Sequence, residues 1–248
     1  MTHAPPIRIA LWSGPRNIST AMMRAFGNRP DTAVIDEPFY AAWLTASGAD
    51  HPMRGEILAA QPTDWRAVVR DLLGPVPGGR AVYYQKHMAH HLTPDIDLAW
   101  MAGCRNAFLI RPPEAVLASY VERRGEATLA DIGVVRQAEI FDREAQRLGA
   151  APPVIEARDV LADPRAALTA LCAALDLTFD EAMLGWPAGP RPGDGVWAPA
   201  WYDAVERSTG FAAPRPDLEP GDLDPSLRPI ADAARPFYDA LARHRLRT

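Results

Sequence analysis

The amino-acid sequence predicts an α/β protein with a mainly parallel central sheet and helices on both faces. Five short apolar segments have the length and composition of buried strands, and most of them are separated by segments with helical character. This alternation favours parallel pairing, because parallel strands need a crossover connection that is usually a helix. The 248 residues are enough for one domain with a sizeable core.

Each strand segment is an apolar run bounded by turn residues. The first ends at Ser13-Gly14-Pro15, the second at Asp36-Glu37-Pro38 and the fourth at Arg111-Pro112-Pro113, while Gly78-Gly79 precedes the third. The predicted strands are residues 7–12, 32–35, 81–85, 106–110 and 153–157.

The helical segments are identified by apolar spacing and by their first residues. Val134, Ala138, Phe141, Ala145 and Leu148 share one helical face. Proline fits a first helical turn, which supports helices that begin at Pro113 and, behind an Asp163 N-cap, at Pro164. The predicted helices are 18–27, 113–123, 131–149, the segment after 163 and 226–245, and residues 39–75 are expected to be helical with interruptions.

Composition excludes several classes of protein. There are 26 basic and 31 acidic side chains, a net charge of −5, whereas a general nucleic-acid binder carries a basic excess. The chain contains neither a run of 18 apolar residues nor a signal-peptide pattern. Cys104 and Cys172 form neither a disulfide framework nor a zinc-ligand spacing. We therefore expect a cytoplasmic protein that binds neither membranes nor nucleic acid, and the sequence leaves its oligomeric state open.

The composition changes after residue 185. A Pro-, Gly- and Trp-rich stretch runs to about residue 225, and it is too aromatic for an idle linker. We therefore divide a single domain into a core (1–185), a lid segment packed over it (186–225) and a C-terminal helix (226–248).

The turn between the first strand and the first helix is a candidate anion site. It lies at the carboxyl edge of a parallel sheet, where open α/β folds bind ligands. Backbone N–H groups at the helix start, the Ser19 and Thr20 hydroxyls and the Arg16 guanidinium all suit a phosphate or sulfate. It is not a Walker A loop, because Ser19 and Thr20 stand where that motif has Gly and Lys. The candidate binding residues are Gly14, Pro15, Arg16, Asn17, Ile18, Ser19 and Thr20.

A second candidate anion site follows the fourth strand. Arg111 ends that strand, and Ser119 comes eight residues later on the next helix. Because both anion sites lie at the same sheet edge, the pattern indicates a ligand with two separated phosphate-like groups.

These two motifs resemble those of the sulfotransferases that use 3′-phosphoadenosine 5′-phosphosulfate (PAPS), in particular the bacterial branches. The segment Ser13–Thr20 is similar to the family's 5′-phosphosulfate loop, and 109–120 is similar to its 3′-phosphate motif, with Arg111 and Ser119 at the phosphate-binding positions. The resemblance covers about residues 1–175, with the motifs in order and about 95 residues apart. It implies a P-loop kinase-like fold and transfer of a sulfuryl group from PAPS to a hydroxyl or amine of a small molecule.

The resemblance also implies a base for the acceptor proton and a cation on the transferred group, and no metal is expected. Glu37 follows the second strand, like the glutamate base of some bacterial and carbohydrate-modifying members. Lys86 matches the lysine of the Lys-Thr-His motif of animal members, but Met88 occupies their base position and the histidine is His87. We therefore expect Glu37 as the base, Lys86 as the cation and His87 as the second candidate base.

The lid segment departs from the family pattern. The usual Arg-Lys-Gly run is absent, and Arg191 is a candidate to replace its contacts with the 3′-phosphate. The aromatic residues of this segment form an acceptor pocket, stack on adenine or make up the core of the lid; they are Trp197, Trp201, Tyr202 and Phe211. Two other functions stay open: a non-catalytic nucleotide-binding member of the fold, and a divergent ATP-dependent phosphotransferase or hydrolase.

Overall fold

Five strands form one sheet in the described part of this computed structural model, which comprises residues 5–214, 216, 218 and 220–247. They are β1 (Ile7–Ser13), β2 (Thr32–Asp36), β3 (Val82–Met88), β4 (Arg105–Ile110) and β5 (Val154–Glu156). Their order is β2-β3-β1-β4-β5, and every neighbouring pair is parallel. The predicted α/β class with a parallel central sheet is confirmed.

Helices connect the strands and cover the sheet. Their bounds are α1 (Ser19–Gly27), α2 (Tyr40–Ser47), α3 (Arg54–Ala60), α4 (Trp65–Leu73), α5 (Pro113–Arg124), α6 (Val134–Leu148), α7 (Ala157–Ala162), α8 (Pro164–Ala174), α9 (Ala198–Trp201), α10 (Asp203–Glu206) and α11 (Arg228–Ala242). The interrupted segment 39–75 thus contains α2, α3 and α4. At α8 the predicted cap is present, since the Asp163 side chain accepts a hydrogen bond from the Ala166 N–H at 2.9 Å.

The alternation of side chains along the strands produces two cores. Ile9 and Leu11 of β1 pack under α1, α2 and α8, whereas Ala10 and Trp12 pack under α4, α6 and α11. Both faces of the sheet are therefore buried by helices, as predicted.

Strand β3 is longer than predicted, and this matters for the site. The pattern predicted its end at Gln85, yet pairing continues because Lys86 is in register with Leu11 on one side and Asp36 on the other. Lys86 and His87 are thus consecutive strand residues, and their side chains point to opposite faces of the sheet.

The topology opens a crevice at the carboxyl edge. The connection after β1 leads towards β2 at one edge of the sheet, and the connection after β4 leads to β5 at the other, so the two loops diverge. The Pro- and Trp-rich segment packs on the face covered by α1 and α2, where Trp186, Trp197 and Tyr202 are buried. Positions 215, 217 and 219 of this segment lie outside the described residues. None of the helices in the described ranges combines the length and apolar character needed to cross a bilayer.

Candidate active site at the carboxyl edge of the sheet

A cavity of about 770 Å³ lies at the carboxyl edge of the sheet and brings most of the predicted site residues together. Residues 15–21, which comprise the β1–α1 loop and the start of α1, line one part of it, and Arg111 and Ser119 line another. Glu37, directly after β2, and Lys86 of β3 also line the cavity. Four neighbouring strands, β1 to β4, therefore contribute to one site.

The backbone of the β1–α1 loop packs closely against the chain segment that contains Ile132. A Cβ atom on Gly14 would lie 2.2 Å from the Ile132 carbonyl oxygen, so only glycine fits there, although Gly14 itself does not line the cavity. Arg16 and Ile18 have left-handed backbone conformations, with φ of 61° and 57°. Helix α1 then begins at Ser19 without a side-chain cap. Its first-turn N–H groups and macrodipole suit an anion.

The two predicted anion motifs are physically joined. Arg16 Nε donates a hydrogen bond to Ser119 Oγ at 3.0 Å, and Arg111 Nη1 donates to the Arg16 carbonyl oxygen at 2.7 Å. Helix α5 and the end of β4 thereby hold the loop in its left-handed conformation. The Asn17 side-chain oxygen is buried in the same loop and has no hydrogen-bond partner.

A buried cluster of charges forms the floor of the cavity. Lys86 Nζ lies 2.8 Å from Asp36 Oδ1, 2.5 Å from Glu37 Oε1 and 2.9 Å from the Tyr202 hydroxyl. That hydroxyl donates to Asp36 Oδ2 at 2.6 Å and accepts from Trp197 Nε1 at 3.1 Å. The lid segment is therefore bonded directly to the strand residues of the site.

Burial and charge pairing shift the pKa values of this cluster in opposite directions. Burial raises the pKa of Glu37, and the neighbouring Lys86 only partly counters this effect. Burial alone would lower the pKa of Lys86, but the Asp36 and Glu37 carboxylates raise it well above the usual range. Lys86 thus stays an ammonium, while Glu37 binds a proton more readily than an exposed glutamate does.

Backbone strain is concentrated at the cavity. Among the described residues, five that are not glycine have a positive φ, and Arg16, Ile18 and Glu37 line the cavity. Glu37 has a φ of 38°. Such conformations persist where the surrounding structure holds them, and they occur preferentially at functional sites.

Three predicted site residues do not line the cavity: Gly14, as described above, His87 and Arg191. His87 lies on the other face of the sheet, where its ring stacks on Trp12 with centroids 4.3 Å apart and Nε2 is 3.2 Å from Gln85 Oε1. Burial lowers the pKa of His87 to about 3. Arg191 lies near α1, with Nη2 3.5 Å from Asn28 Oδ1, and does not line the cavity.

Sequence reasoning assigned no role in the site to three residues: Asp36, Tyr202 as a partner of Lys86, and His91, which lines the cavity. The sequence did contain one signal for the charge cluster around Lys86: this residue is the only lysine among the 26 basic residues. Across the described ranges, the His, Cys, Asp and Glu side chains do not form a group of three that could hold a metal ion.

Two solved structures share the fold of this chain. A sulfotransferase from Alicyclobacillus acidocaldarius superimposes with a TM-score of 0.54, covering 99% of this chain and 98% of the other at 15% identity. A sulfotransferase domain from the curacin biosynthetic pathway gives a TM-score of 0.51, covering 94% and 99% at 15% identity. At this level of identity the likeness concerns the fold.

Sequence comparison adds longer relatives and a family. Two Arabidopsis thaliana proteins, named branched-chain-amino-acid aminotransferase-like proteins 1 and 2, are 35% and 36% identical over 97% and 84% of this chain. The chain spans only 42% and 36% of their lengths, so those names describe much longer proteins. A family profile described as a sulfotransferase domain matches residues 7–245. The chain therefore belongs to the sulfotransferase-domain family.

Proposed function

We propose that this chain transfers a sulfuryl group from PAPS to a hydroxyl or amine of a small molecule. The observation that carries the proposal is the shared cavity, which combines the uncapped start of α1, the Arg111–Ser119 motif and the buried Glu37–Lys86 pair. The first two suit a ligand with two anionic groups, and the third can accept a proton next to that ligand.

The residues present fit such a donor. Cationic side chains, hydroxyls and the first-turn N–H groups of α1 all converge on the cavity, and they are the groups that bind phosphate and sulfate. Residues 15–20 would hold the 5′-phosphosulfate, and Arg111 and Ser119, which both line the cavity, would hold the 3′-phosphate. When bound, PAPS supplies the sulfuryl group and leaves as adenosine 3′,5′-bisphosphate.

Glu37 is proposed as the general base. It lines the cavity, and its raised pKa brings its proton affinity closer to that needed at neutral pH. In the transfer, the acceptor O–H or N–H proton moves to the Glu37 carboxylate while the acceptor atom forms its bond to sulfur. The bond between sulfur and the 5′-phosphate oxygen breaks in the same displacement.

Lys86 is proposed to supply positive charge to the transferred group. Its ammonium has three donors, and its three partners are Asp36, Glu37 and Tyr202. Contact with the transferred group therefore requires the exchange of one partner, and Glu37 and Tyr202 are the partners that line the cavity. His87 has no part in this proposal, because its ring lies on the opposite face of the sheet.

Calorimetry with adenosine 3′,5′-bisphosphate, AMP and Mg-ATP tests the donor. We expect the bisphosphate to bind most tightly, with a clear loss of affinity when the 3′-phosphate is absent. Preference for Mg-ATP would instead support a phosphotransferase or hydrolase. The absence of bisphosphate binding would contradict the proposed donor and, with it, the proposed sulfuryl transfer.

Transfer of labelled sulfate from PAPS to a panel of alcohols, phenols and amines then tests catalysis. Binding of the bisphosphate without any transfer, together with unchanged cellular function of Glu37→Gln and Lys86→Ala variants, would identify a non-catalytic nucleotide-binding protein. Transfer that depends on Glu37 supports the proposal.

A further inference from the structure

His91 is a buried titratable residue of the cavity that has no role in the mechanism so far. It ends the short 3-10 turn Ala89–His91 that follows β3, and its side chain is only 2% exposed. Its Nδ1 atom is buried without a hydrogen-bond partner. Glu37 Oε2 lies 3.9 Å from this nitrogen, which is about 1 Å beyond hydrogen-bond distance.

The orientation of the His91 ring is set by its aromatic neighbours. Tyr40 and Trp43 of α2 stack against it, with centroid distances of 4.4 Å and 4.9 Å and interplanar angles of 22° and 27°. The His90 ring packs edge-on at 4.4 Å. These contacts leave the ring little freedom to turn, so the packing of the fold keeps Nδ1 directed at Glu37.

The charge state of His91 makes it a donor rather than a cation. Burial, reinforced by nearby His90, His51 and Lys86, lowers its pKa well below 6.5, so the ring is neutral at neutral pH. A neutral imidazole carries one N–H. A carboxylate oxygen beside Nδ1 favours the tautomer with the proton on Nδ1, because that N–H dipole then points at negative charge.

The two oxygens of Glu37 have different surroundings. Oε1 accepts a hydrogen bond from Lys86, and Oε2 faces His91. Each carboxylate oxygen has two lone pairs, so Oε2 can accept from His91 and still receive a proton from an acceptor. Hydrogen bonds of catalytic groups are often long in structures without substrate and tighten in the complex.

We propose that His91 positions the base: its Nδ1–H donates to Glu37 Oε2 and holds the carboxylate between His91 and Lys86. This inference rests on the proposed role of Glu37 in sulfuryl transfer. Because a donor to the ionised form lowers a carboxyl pKa, removing His91 should raise the pKa of Glu37. The other ionisable groups that face Glu37 are Asp36, Lys86, Tyr40 and Tyr202.

The first experiment uses the protein without any ligand. Long-range ¹H–¹⁵N correlation spectra of the histidines at pH 7 report which ring nitrogen is protonated, and loss of one signal set in His91→Phe assigns it. We expect the Nδ1–H tautomer for His91 and a change in its Nδ1 chemical shift in Glu37→Gln. An Nε2–H tautomer in the wild-type protein would overturn the proposal, and His91→Asn assigns the signal if His91→Phe fails to fold.

The second experiment follows the Glu37 carboxyl by ¹³C NMR titration in three variants. His91→Phe keeps a stacking ring but has no donor, whereas the side-chain amide of His91→Asn provides a donor at the position of Nδ1. His90→Phe changes the neighbouring ring and is the matched control. We expect the Glu37 titration to move to higher pH in His91→Phe and to stay near that of the wild type in the other two. An unchanged titration in His91→Phe contradicts the proposal.

Activity separates this inference from the proposed function. Because the base works deprotonated, the acid limb of kcat/KM should move to higher pH in His91→Phe. Activity at the acid end should fall about tenfold for each pH unit by which that limb moves. The affinity for adenosine 3′,5′-bisphosphate should not change. Failure of bisphosphate binding in the wild-type protein would refute the proposed function, whereas the tautomer and the Glu37 titration report on His91 alone.

Discussion

Lys86 and Asp36 are register partners on the adjacent parallel strands β3 and β2, and Lys86 Nζ lies 2.8 Å from Asp36 Oδ1. Both side chains are buried, and Glu37 and Tyr202 complete the cluster. The register of the sheet therefore brings the two charges of this ion pair together. Lys86 also pairs with Glu37, the residue proposed as the base. One buried cation supports two buried carboxyl groups.

Lys86→Met should strongly destabilise the protein. The substitution leaves Asp36 and Glu37 buried without their counter-charge, and loss of one partner of a buried ion pair typically costs about 3–5 kcal/mol. Urea unfolding at pH 7 measures this loss in the free energy of unfolding. Arg66→Met removes a cation whose side chain is 68% exposed and should change stability by less than about 0.5 kcal/mol. Equal effects of the two substitutions would contradict the structural role given to Lys86.

Glu37→Gln should lower the rate of sulfuryl transfer by about 10²–10⁴-fold, because the amide cannot accept the acceptor proton. The affinity for adenosine 3′,5′-bisphosphate should stay the same, since Glu37 does not belong to the β1–α1 loop or to the Arg111–Ser119 motif. Steady-state kinetics and calorimetry on the same preparation separate the two effects. Glu126→Gln, at an exposed position, is the control. Near-normal turnover of Glu37→Gln would remove Glu37 from the role of base.

Arg111→Ala should weaken binding of adenosine 3′,5′-bisphosphate more than binding of AMP. The guanidinium donates to the Arg16 carbonyl and lines the cavity, so part of the loss will reflect a loosened loop and will affect both nucleotides. The difference between the two losses measures recognition of the 3′-phosphate, for which about 1.5–3 kcal/mol is typical of a charged hydrogen bond. Equal losses for both nucleotides would argue against that role.

Gly14→Ala should displace the β1–α1 loop. The added methyl group would lie 2.2 Å from the Ile132 carbonyl oxygen, so one of the two backbones must move. We expect a loss of about 1–3 kcal/mol in stability together with weaker nucleotide binding. Gly55→Ala is the matched control, because a Cβ there meets nothing within 4 Å and Gly55 lies in helix α3. That substitution should be neutral or stabilising by up to about 1 kcal/mol.

The protein should lose stability as the pH falls below 6.5. Burial lowers the pKa of His51 to about 4 and the pKa values of His87 and His90 to about 3, and it also lowers that of His91. Between these values and 6.5 the unfolded chain binds more protons than the folded chain, so acidification favours unfolding, by up to about 1.4 kcal/mol per pH unit for each histidine.

Urea unfolding at pH 7, 6 and 5 measures this slope. Glu37 opposes it, because a carboxyl whose pKa is raised in the folded state stabilises that state as it protonates. His90→Gln should reduce the slope by the contribution of about one proton, which is about 1.4 kcal/mol per pH unit. Stability that is unchanged from pH 7 to pH 5 would show that the histidines are charged or exposed in solution.

Local patterns were sufficient for the architecture and for the position of the β1–α1 loop at the cavity. Alternating strands and helices determine a parallel sheet, and the carboxyl ends of parallel strands meet at one edge, so residues 14–20, Glu37, Lys86 and Arg111 were predicted to lie there. The requirement for glycine at position 14 comes from a distant carbonyl, at Ile132, which no local pattern reveals.

The pairing of the catalytic candidates depends on tertiary structure. His87 follows Lys86 directly in sequence, yet the extension of β3 turns the two side chains to opposite faces of the sheet, because consecutive strand residues alternate. Tyr202 reaches Lys86 across 116 residues, and His91 meets Glu37 only because α2 packs on the turn after β3. Local sequence was enough to place Glu37, Lys86 and Arg111 at the sheet edge, but not to exclude His87 or to find Tyr202 and His91. The partners of the site residues depend on strand register and lid packing, since those contacts are made between segments that are remote in the chain.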